Sequence, residues 1–497
     1  MAYLINKEKL PIQERICAIN NVAKEKLDVS NFFVYYDNPL LKNFVDKLLE
    51  FRDEKYFIVG DYDCDGICAT SIIKKLLDDL SISNNYYIPS RTNEGYGLNM
   101  DIVNKVIDND FKVMICVDCG ANSKEELAYA KTHNIKTFVI DHHEYDEAPD
   151  IDGFLHPNLF SEDYYDMCAG GLCCLISNSV RKDDLTTVLG GLATLADMVT
   201  VLNYNRYLLK EMLKILNTSN IYQINLLANS KVYDYDVLSF NVIPKINSVS
   251  RLDEYMNVNL VVRYLLSDED YCHSFFKNID TINDYRKNLT TKMADKAELL
   301  INNEDDFIIV ADTSFSQGIC GLISNKLMNK YHKPVLVLAE NGDEYVGSCR
   351  APYPFDVYSY LKECESIFTA YGGHNQAVGL SINKDNLPIL SKYITNHPFT
   401  IENVDEEILE IDREDIDISL LEQINELKPF GAGFKEPLFM IDNIDYRHKY
   451  IVAKKYPKFI INNCCDAISF NSDHIDKVFS KIVGRIQKDN YHYNKIS

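Results

Sequence analysis

Three aspartates at alternate positions, Asp61, Asp63 and Asp65, follow the apolar run Ile58-Val59-Gly60 and lead straight into Gly66 and a helical pattern. On an extended segment alternate side chains share a face, so the three carboxylates are expected to crowd together at the tip of a strand. Like charges at that distance repel, and hard divalent cations with oxygen ligands relieve the repulsion. Two more polar clusters follow apolar runs directly: Val117-Asp118-Cys119-Gly120, and Asp141-His142-His143-Glu144 after Ile140. A fourth candidate, Asp197, interrupts the small-residue apolar helix Gly190–Met198, where an unpaired charge is expensive to bury.

Any one of these clusters has the composition of an N-cap or a surface turn. Four together, three of them at successive strand ends, point to a mixed oxygen and imidazole ligand set that suits Mn²⁺ or Mg²⁺ better than a thiolate metal. The ligands are too many for one ion, which implies two metals sharing a bridging carboxylate. Paired ions clamp the attacking and leaving oxygens of an in-line phosphoryl displacement. The chemistry expected from the residues is that of a two-metal phosphoesterase or pyrophosphatase.

The elements that must position these groups alternate in type. Tyr56–Gly60, Tyr86–Pro89, Lys112–Val117 and Lys136–Ile140 read as buried strands, and Ile67–Leu80, Asp101–Asn109 and Ser123–Thr132 carry helical spacing. That order implies an α/β fold with a mainly parallel sheet and helices on both faces, with ligands beyond the carboxyl ends of the strands. From Asn203 to about Leu300 the pattern is helical, including Ile279–Ile301, as in a connector between lobes. A second α/β segment follows, with strands Asp306–Ala311 and Pro334–Leu338 around a helix Gly318–Tyr331, ending in Tyr371-Gly372-Gly373-His374. From Phe439 onward short alternating strands such as Lys458–Asn462 and Asp466–Phe470 suggest an all-β module of about 60 residues, compatible with an OB-type barrel.

The chain of 497 residues, 46% hydrophobic and 25% charged, reads as a soluble multidomain protein with a large core. It has no apolar run long enough for a membrane span and no signal-peptide pattern at its start, so a cytosolic (cytoplasmic) or nuclear location without membrane association is expected. The 14 cysteines are irregularly spaced and suit reduced, buried positions; Cys116-Val117-Asp118-Cys119 has no second pair at zinc-finger distance. A net charge of −23 runs against a nucleic-acid partner. Part of it is local, since residues 401–427 hold eleven acidic residues against one arginine and read as a solvated linker or exposed helix.

The motifs DYDCDG at 61–66, VDCG at 117–120, DHH at 141–143 and the segment around Asp197 resemble, in order, the four catalytic motifs of the DHH phosphoesterase superfamily. Within it the chain is similar to the RecJ-type single-strand-specific exonucleases. Gly318-Ile319-Cys320-Gly321, Gly347-Ser348-Cys349-Arg350 and Gly372-Gly373-His374 resemble the DHHA1 lobe. Pro244-Lys245-Ile246-Asn247 with Arg251, Ile88-Pro89-Ser90-Arg91 with Gly95-Tyr96-Gly97, and Pro429-Phe430-Gly431-Ala432-Gly433 resemble RecJ-specific segments. The resemblance implies a DHH domain (1–205), a helical connector (206–302), a DHHA1 substrate-binding domain (303–400) and an acidic linker with an OB-like barrel (401–497). It implies Asp63, Asp65, Asp118, His142 and Asp197 as metal ligands with Asp118 bridging, Asp61 as a supporting group, and His143 facing the scissile phosphate. Arg91, Ser348 and Arg350 would hold the 5′ end, Asn247 and Arg251 the strand, and Gly372, Gly373 and His374 further substrate contacts.

The activity so implied is metal-dependent 5′→3′ hydrolysis of single-stranded DNA to 5′-mononucleotides with two Mn²⁺ or Mg²⁺ ions. The expected chain is a monomer, working beside a single-strand-binding protein or a helicase. RNA, oligonucleotide or cyclic-dinucleotide substrates, and a non-catalytic replication scaffold, are the alternatives. Four departures from the family pattern stand out: Val59 where many relatives have histidine, Ser250 and Cys349 where glycine is usual, Phe315-Ser316 for Trp-His, and Phe434-Lys435 for Asn-Pro.

Overall fold

The computed structural model describes residues 3–488 apart from 303, 403–404, 443–448, 453–455, 463–464, 471–473 and 476–478. Near the N-terminus lie strand β1 (Tyr3–Asn6) and helices α1 (Ile12–Ile19) and α2 (Pro39–Glu50), the last capped by the Asn38 side chain with Pro39 in its first turn. Next comes a five-stranded sheet of β2 (Tyr56–Gly60), β3 (Asn84–Tyr87), β4 (Val113–Val117), β5 (Lys136–Ile140) and β6 (Gly153–Leu155). Its order is β3-β2-β4-β5-β6 and every pairing is parallel.

Parallel strands covered on both faces are apolar at every position. In β2, Tyr56 and Ile58 join one core with α3 (Cys64–Asp79), α6 (Ala169–Val180) and α7 (Asp184–Ala196). Phe57 and Val59 point the other way, into a second core with α4 (Met100–Asp108) and α5 (Lys124–Thr132). From β2 the chain goes first to β3 on one side and then to β4 on the other, so the order reverses there. The carboxyl ends of β2 and β4 therefore border a natural crevice.

The connector contains α8 (Asn203–Thr218), α9 (Tyr222–Ala228), α10 (Tyr235–Val237) running into a π-helical turn (Leu238–Val242), α11 (Ile243–Arg251), α12 (Asn259–Leu266) and the long α13 (Glu269–Glu298). The second α/β lobe has β7 (Ile308–Asp312), α14 (Cys320–Tyr331), β8 (Val335–Asn341), β9 (Glu344–Arg350), α15 (Val357–Lys362), β10 (Phe368–His374), β11 (Ala377–Asn383) and α16 (Leu387–Asn396). Its sheet runs β10-β11-β9-β8-β7, antiparallel except for β7 with β8. The Gly372-Gly373-His374 segment lies on strand β10.

The lobe sits directly on the connector. A Cβ at Gly318 would lie 1.9 Å from the Arg251 carbonyl oxygen, so only glycine allows the two backbones to touch there.

The acidic stretch is not a linker. It carries β12 (Glu406–Glu410) and α17 (Ile418–Glu426), whose Ile408, Leu409, Leu420, Leu421 and Ile424 are buried. The acidic residues occupy the outer faces of these elements, which explains a charged sequence in an ordered place. β12 is an inner strand of the sheet β1-β12-β13-β17, with β13 (Phe439–Asp442) and β17 (Lys481–Gly484); β14 (Lys449–Val452), β15 (Tyr456–Ile460) and β16 (Asp466–Ile468) form a second sheet. The partner of β1 is thus the C-terminal module, not the domain that follows it in sequence.

Candidate active site

The aspartates of 61–65 do not line one strand face. β2 stops at Gly60; Asp63 is the N-cap of α3, accepting from the backbone amides of Asp65 and Gly66, and Asp65 already lies in the first helical turn. A strand–turn–helix corner brings the three together, and a Cβ at Gly66 would come within 2.4 Å of the Asp61 carbonyl oxygen. Asp118, one residue beyond β4, is held in the left-handed region at φ 59°, a costly conformation for a non-glycine residue that concentrates at functional sites. Asp197 does not interrupt a helix. It is the C-cap of α7, where the helix ends and its side chain is free to leave the core.

Three overlapping groups of these side chains have ligand-grade spacing: Asp61–Asp63–Asp118, Asp65–His142–Asp197 and Asp118–His142–His143, with ligand atoms within 4.8 Å of one another in each. His142 Nε2 lies 3.3 Å from Asp118, 3.7 Å from Asp65 and 3.7 Å from Asp197. Burial lowers the His142 pKa to about 3, which keeps the imidazole neutral, the form that binds metals. Burial, then mutual repulsion, pushes the carboxyls the other way: Asp65 up to about 7, Asp197 to about 8, and Asp61 and Asp118 well above the usual range. Asp61 Oδ1 and Asp118 Oδ1 are buried without a hydrogen-bond partner among the described residues. Orphaned buried carboxylate oxygens facing one another and a neutral imidazole fit a pair of divalent cations.

The side-chain bonds separate roles that spacing had merged. Asp65 gives both oxygens to the start of α6, accepting from Gly170 N at 2.6 Å and Ala169 N at 2.9 Å. Asp65 also keeps its place beside His142 and Asp197, and Asp61, expected as a supporting group, stands with Asp63 and Asp118. Asn247, expected on the strand, uses its Oδ1 to accept from Cys64 N at 2.8 Å and so props the start of α3.

Asp141 accepts from the backbone amides of Ala121, His142 and His143 and from His143 Nδ1 at 2.8 Å. Burial would lower the His143 pKa, but the Asp141 hydrogen bond and charge outweigh it and hold the imidazole at about 9.

Two contributors were not among the site residues singled out from the sequence, although Tyr96 lay in a quoted motif. His156, just past β6, is buried with Nε2 3.1 Å from the His143 carbonyl oxygen; its signal was a histidine after a strand too short to recognise. Tyr96 donates its hydroxyl to the Asp118 carbonyl oxygen at 3.0 Å and lies 3.2 Å from His143 Nδ1.

Beside the carboxylates stand arginines without carboxylate partners among the described residues. Arg91 lies 4.9 Å over the Tyr62 ring, and Arg350 donates to Ser348 Oγ and to the Cys349 carbonyl oxygen, each at 2.7 Å. Arg251 Nη1 is 3.3 Å from the Gly318 carbonyl oxygen. Burial first, then Arg91, Arg286 and Arg350, lowers the Arg251 pKa to about 9. Cations so close that they disfavour one another mark a place for an anion. α14 begins at this pocket, since a Cβ at Gly321 would lie 3.1 Å from Arg350 Nη2 and 3.3 Å from Ser348 Oγ. His374, at the exposed tip of β10 next to Gly372 and Gly373, is close enough to His142 for its charge to oppose protonation there. Of the fifteen residues singled out from the sequence, the contacts above join all but Gly372 and Gly373, which neighbour His374 on β10, and Asn247 and Asp65 also hold backbone amides.

Residues 55–196 match the DHH family N-terminal domain, residues 304–396 the DHHA1 domain and residues 409–496 the RecJ OB domain. In domain order and sequence the chain is similar to the RecJ-type members of the DHH family. It is 25% identical over 477 residues to the single-stranded-DNA-specific exonuclease RecJ of Bacillus subtilis, covering 90% of this chain and 60% of that protein's length. The Haemophilus influenzae exonuclease of the same name is 26% identical over 433 residues, 78% of this chain and 74% of that one. In fold, the chain is similar to the crystal structure of RecJ in complex with Mn²⁺ from Thermus thermophilus, with a TM-score of 0.81 and 20% identity, over 100% of this chain and 78% of that one. Among the described residues no helix is long and apolar enough to cross a membrane.

Proposed function

We propose that this protein is a 5′→3′ exonuclease that hydrolyses single-stranded DNA to 5′-mononucleotides with two Mn²⁺ or Mg²⁺ ions. The observation that carries this reading is the juxtaposition of the orphaned Asp61/Asp118 carboxylates with the carboxylate-free arginines at the start of α14. One group suits ions at a scissile phosphodiester; the other suits the phosphate at the 5′ end. The names and metal complexes of the relatives agree with it.

Asp61, Asp63, Asp65, Asp118, His142 and Asp197 would hold the ions, with Asp118 shared. When bound, the ions supply a nucleophile at neutral pH and neutralise charge on the phosphate. Asp65 fixes the corner by tying α3 to α6. Asp141 orients His143 so that its remaining N–H can donate to a non-bridging phosphate oxygen, and His156 holds the His143 backbone in place. Arg91, Arg350 and Ser348, with the first turn of α14, receive the 5′-terminal phosphate. Beyond the cleft, exposed Tyr450 on β14 and Phe470 just past β16 offer stacking surfaces for bases further along the strand.

The test is purified protein with Mn²⁺ and single-stranded DNA labelled separately at either end. Immediate release of mononucleotide from the 5′ label, with progressive shortening of the 3′-labelled strand, is expected. Absence of cleavage on DNA and on a matched RNA would sink the reading and favour a small-substrate phosphodiesterase or a scaffold.

A further inference from the structure

The arginine facing the 5′ end sits on the loop between β3 and α4, and that loop is tied to the connector as well as to its own domain. Asn259, at the start of α12, pairs with Ile88 as a neighbouring strand would: Ile88 N donates to Asn259 Oδ1 at 2.8 Å and Asn259 Nδ2 donates to the Ile88 carbonyl oxygen at 2.9 Å. Asp253, two residues beyond Arg251, then takes the tip. Its Oδ2 accepts from Ser90 Oγ at 2.6 Å and Thr92 N at 3.1 Å, and its Oδ1 accepts from Thr92 Oγ1 at 2.6 Å.

Those three bonds grip the residues on either side of Arg91 and leave its guanidinium without a carboxylate partner among the described residues. A carboxylate this close to a guanidinium usually pairs with it. Here both oxygens are committed to Ser90 and Thr92, and the guanidinium lies over Tyr62, facing the cleft. The other carboxylate at the loop, Glu94, accepts from Ser90 N and Tyr87 and pairs with Lys105, so it closes the loop on its own domain and makes no link to the connector. Asp253 is the link between the tip bearing Arg91 and the turn bearing Arg251, whose backbone is in turn pressed against Gly318 of the second lobe.

We infer that Asp253 is a positioning residue for 5′-end selection: by clamping Ser90 and Thr92 it presents Arg91 to a 5′-terminal phosphate, and so sets the preference for 5′-phosphorylated over 5′-hydroxyl strands. This inference rests on the exonuclease reading and deepens it. An Arg91 on an unclamped loop can still contribute charge, but its planar fork is no longer aimed, and aim is what distinguishes a terminal phosphate dianion from the diester beside it.

The experiment compares kcat and KM on one single-stranded oligodeoxynucleotide, with Mn²⁺, carrying either a 5′ phosphate or a 5′ hydroxyl. Wild type should favour the phosphorylated strand. Asp253→Ala should lose that preference by roughly ten- to hundredfold, the scale of one charge-assisted hydrogen bond, through KM on the phosphorylated strand with kcat and the hydroxyl strand little changed. Ser90→Ala with Thr92→Val, which removes the hydroxyl donors and leaves Asp253 present, should follow it and guards against misfolding of the first variant. Arg91→Ala should show the same loss, and adding Asp253→Ala to it should bring no further change in the ratio.

Retention of the wild-type preference by both clamp variants, or a full additional loss in the double variant, overturns the inference. So does a wild-type protein that degrades both strands equally. A wild type that cleaves neither strand removes the exonuclease reading itself, and this inference with it.

Discussion

Arg206 offers a test of how the C-terminal module is held against the rest of the molecule. It lies on α8, fully buried, with no ion-pair partner among the described residues. Its Nε donates to the Leu27 carbonyl oxygen at 2.8 Å, Nη1 to Pro429 at 3.0 Å, and Nη2 to Leu427 at 2.6 Å and Lys428 at 3.1 Å. The two segments it ties together are some 400 residues apart in the chain, and the second leads into the C-terminal sheets. Two opposing effects decide what Arg206→Met does. Burial lowers the guanidinium pKa from 12.5 to about 10, so keeping it charged costs about 3 kcal/mol, which the substitution returns. Against that stand four charge-assisted bonds at about 1.5 kcal/mol each, roughly 6 kcal/mol lost, and four carbonyls left facing an apolar side chain. The bonds win by about 3 kcal/mol or more. In calorimetry and limited proteolysis the variant should melt lower and be cut faster between Leu427 and Lys435, with Arg206→Lys in between because an ammonium lacks the fork. Cleavage of short strands should persist while KM on long strands rises. Unchanged melting and proteolysis in the methionine variant would refute the reasoning.

Asp118→Asn should abolish Mn²⁺ binding in calorimetric titration. Asp65→Asn should keep weakened binding but lower the melting temperature of metal-free protein, because an amide cannot accept from both Ala169 N and Gly170 N; equal effects on binding would contradict the division of roles. Asp65 and Asp197, raised to about 7 and about 8 by burial and by neighbouring aspartates, bind protons in the folded metal-free protein that the unfolded chain releases near pH 4. Their contribution to stability is therefore full at low pH and lost as pH rises through 7 to 8. Mn²⁺ replaces those protons, so its upward shift in melting temperature should be larger at pH 8.5 than at pH 6, and a shift independent of pH would count against the cluster. His156→Phe removes the bond to the His143 carbonyl oxygen and should lower kcat about tenfold with KM preserved; a change confined to KM would assign His156 elsewhere.

Much of the catalytic lobe could be read from the chain because a parallel sheet sandwiched between helices has no polar alternation to confuse. Tyr56–Gly60 and Lys136–Ile140 are strands to the residue as expected. The polar clusters at their ends stood out against that background, and the structure brings them together. What spacing could not convey was which lone pair each side chain uses. Asp65 and Asn247 carry the right atoms in the right neighbourhood but give their acceptors to backbone amides. β6 is three residues long and β1 finds its partner at the far end of the chain, so neither had a local pattern to announce it. Asp197 looked like a charge in mid-helix because the sequence does not show that α7 ends one residue earlier.

The pairing of β1 with β12 has a consequence for how the protein is made. Asn6 and Glu407, hydrogen-bonded across that ladder, are separated by 401 residues. At typical elongation rates the first strand leaves the ribosome about 20–80 s before its partner exists. Through that interval it is an unpaired edge carrying exposed Leu4 and Ile5, available to any other extended segment nearby. A C-terminal fragment produced alone would meet the converse problem, with β12 bared on the side β1 normally covers. Truncations designed to separate the modules of this protein should therefore supply residues 3–6 to the C-terminal piece.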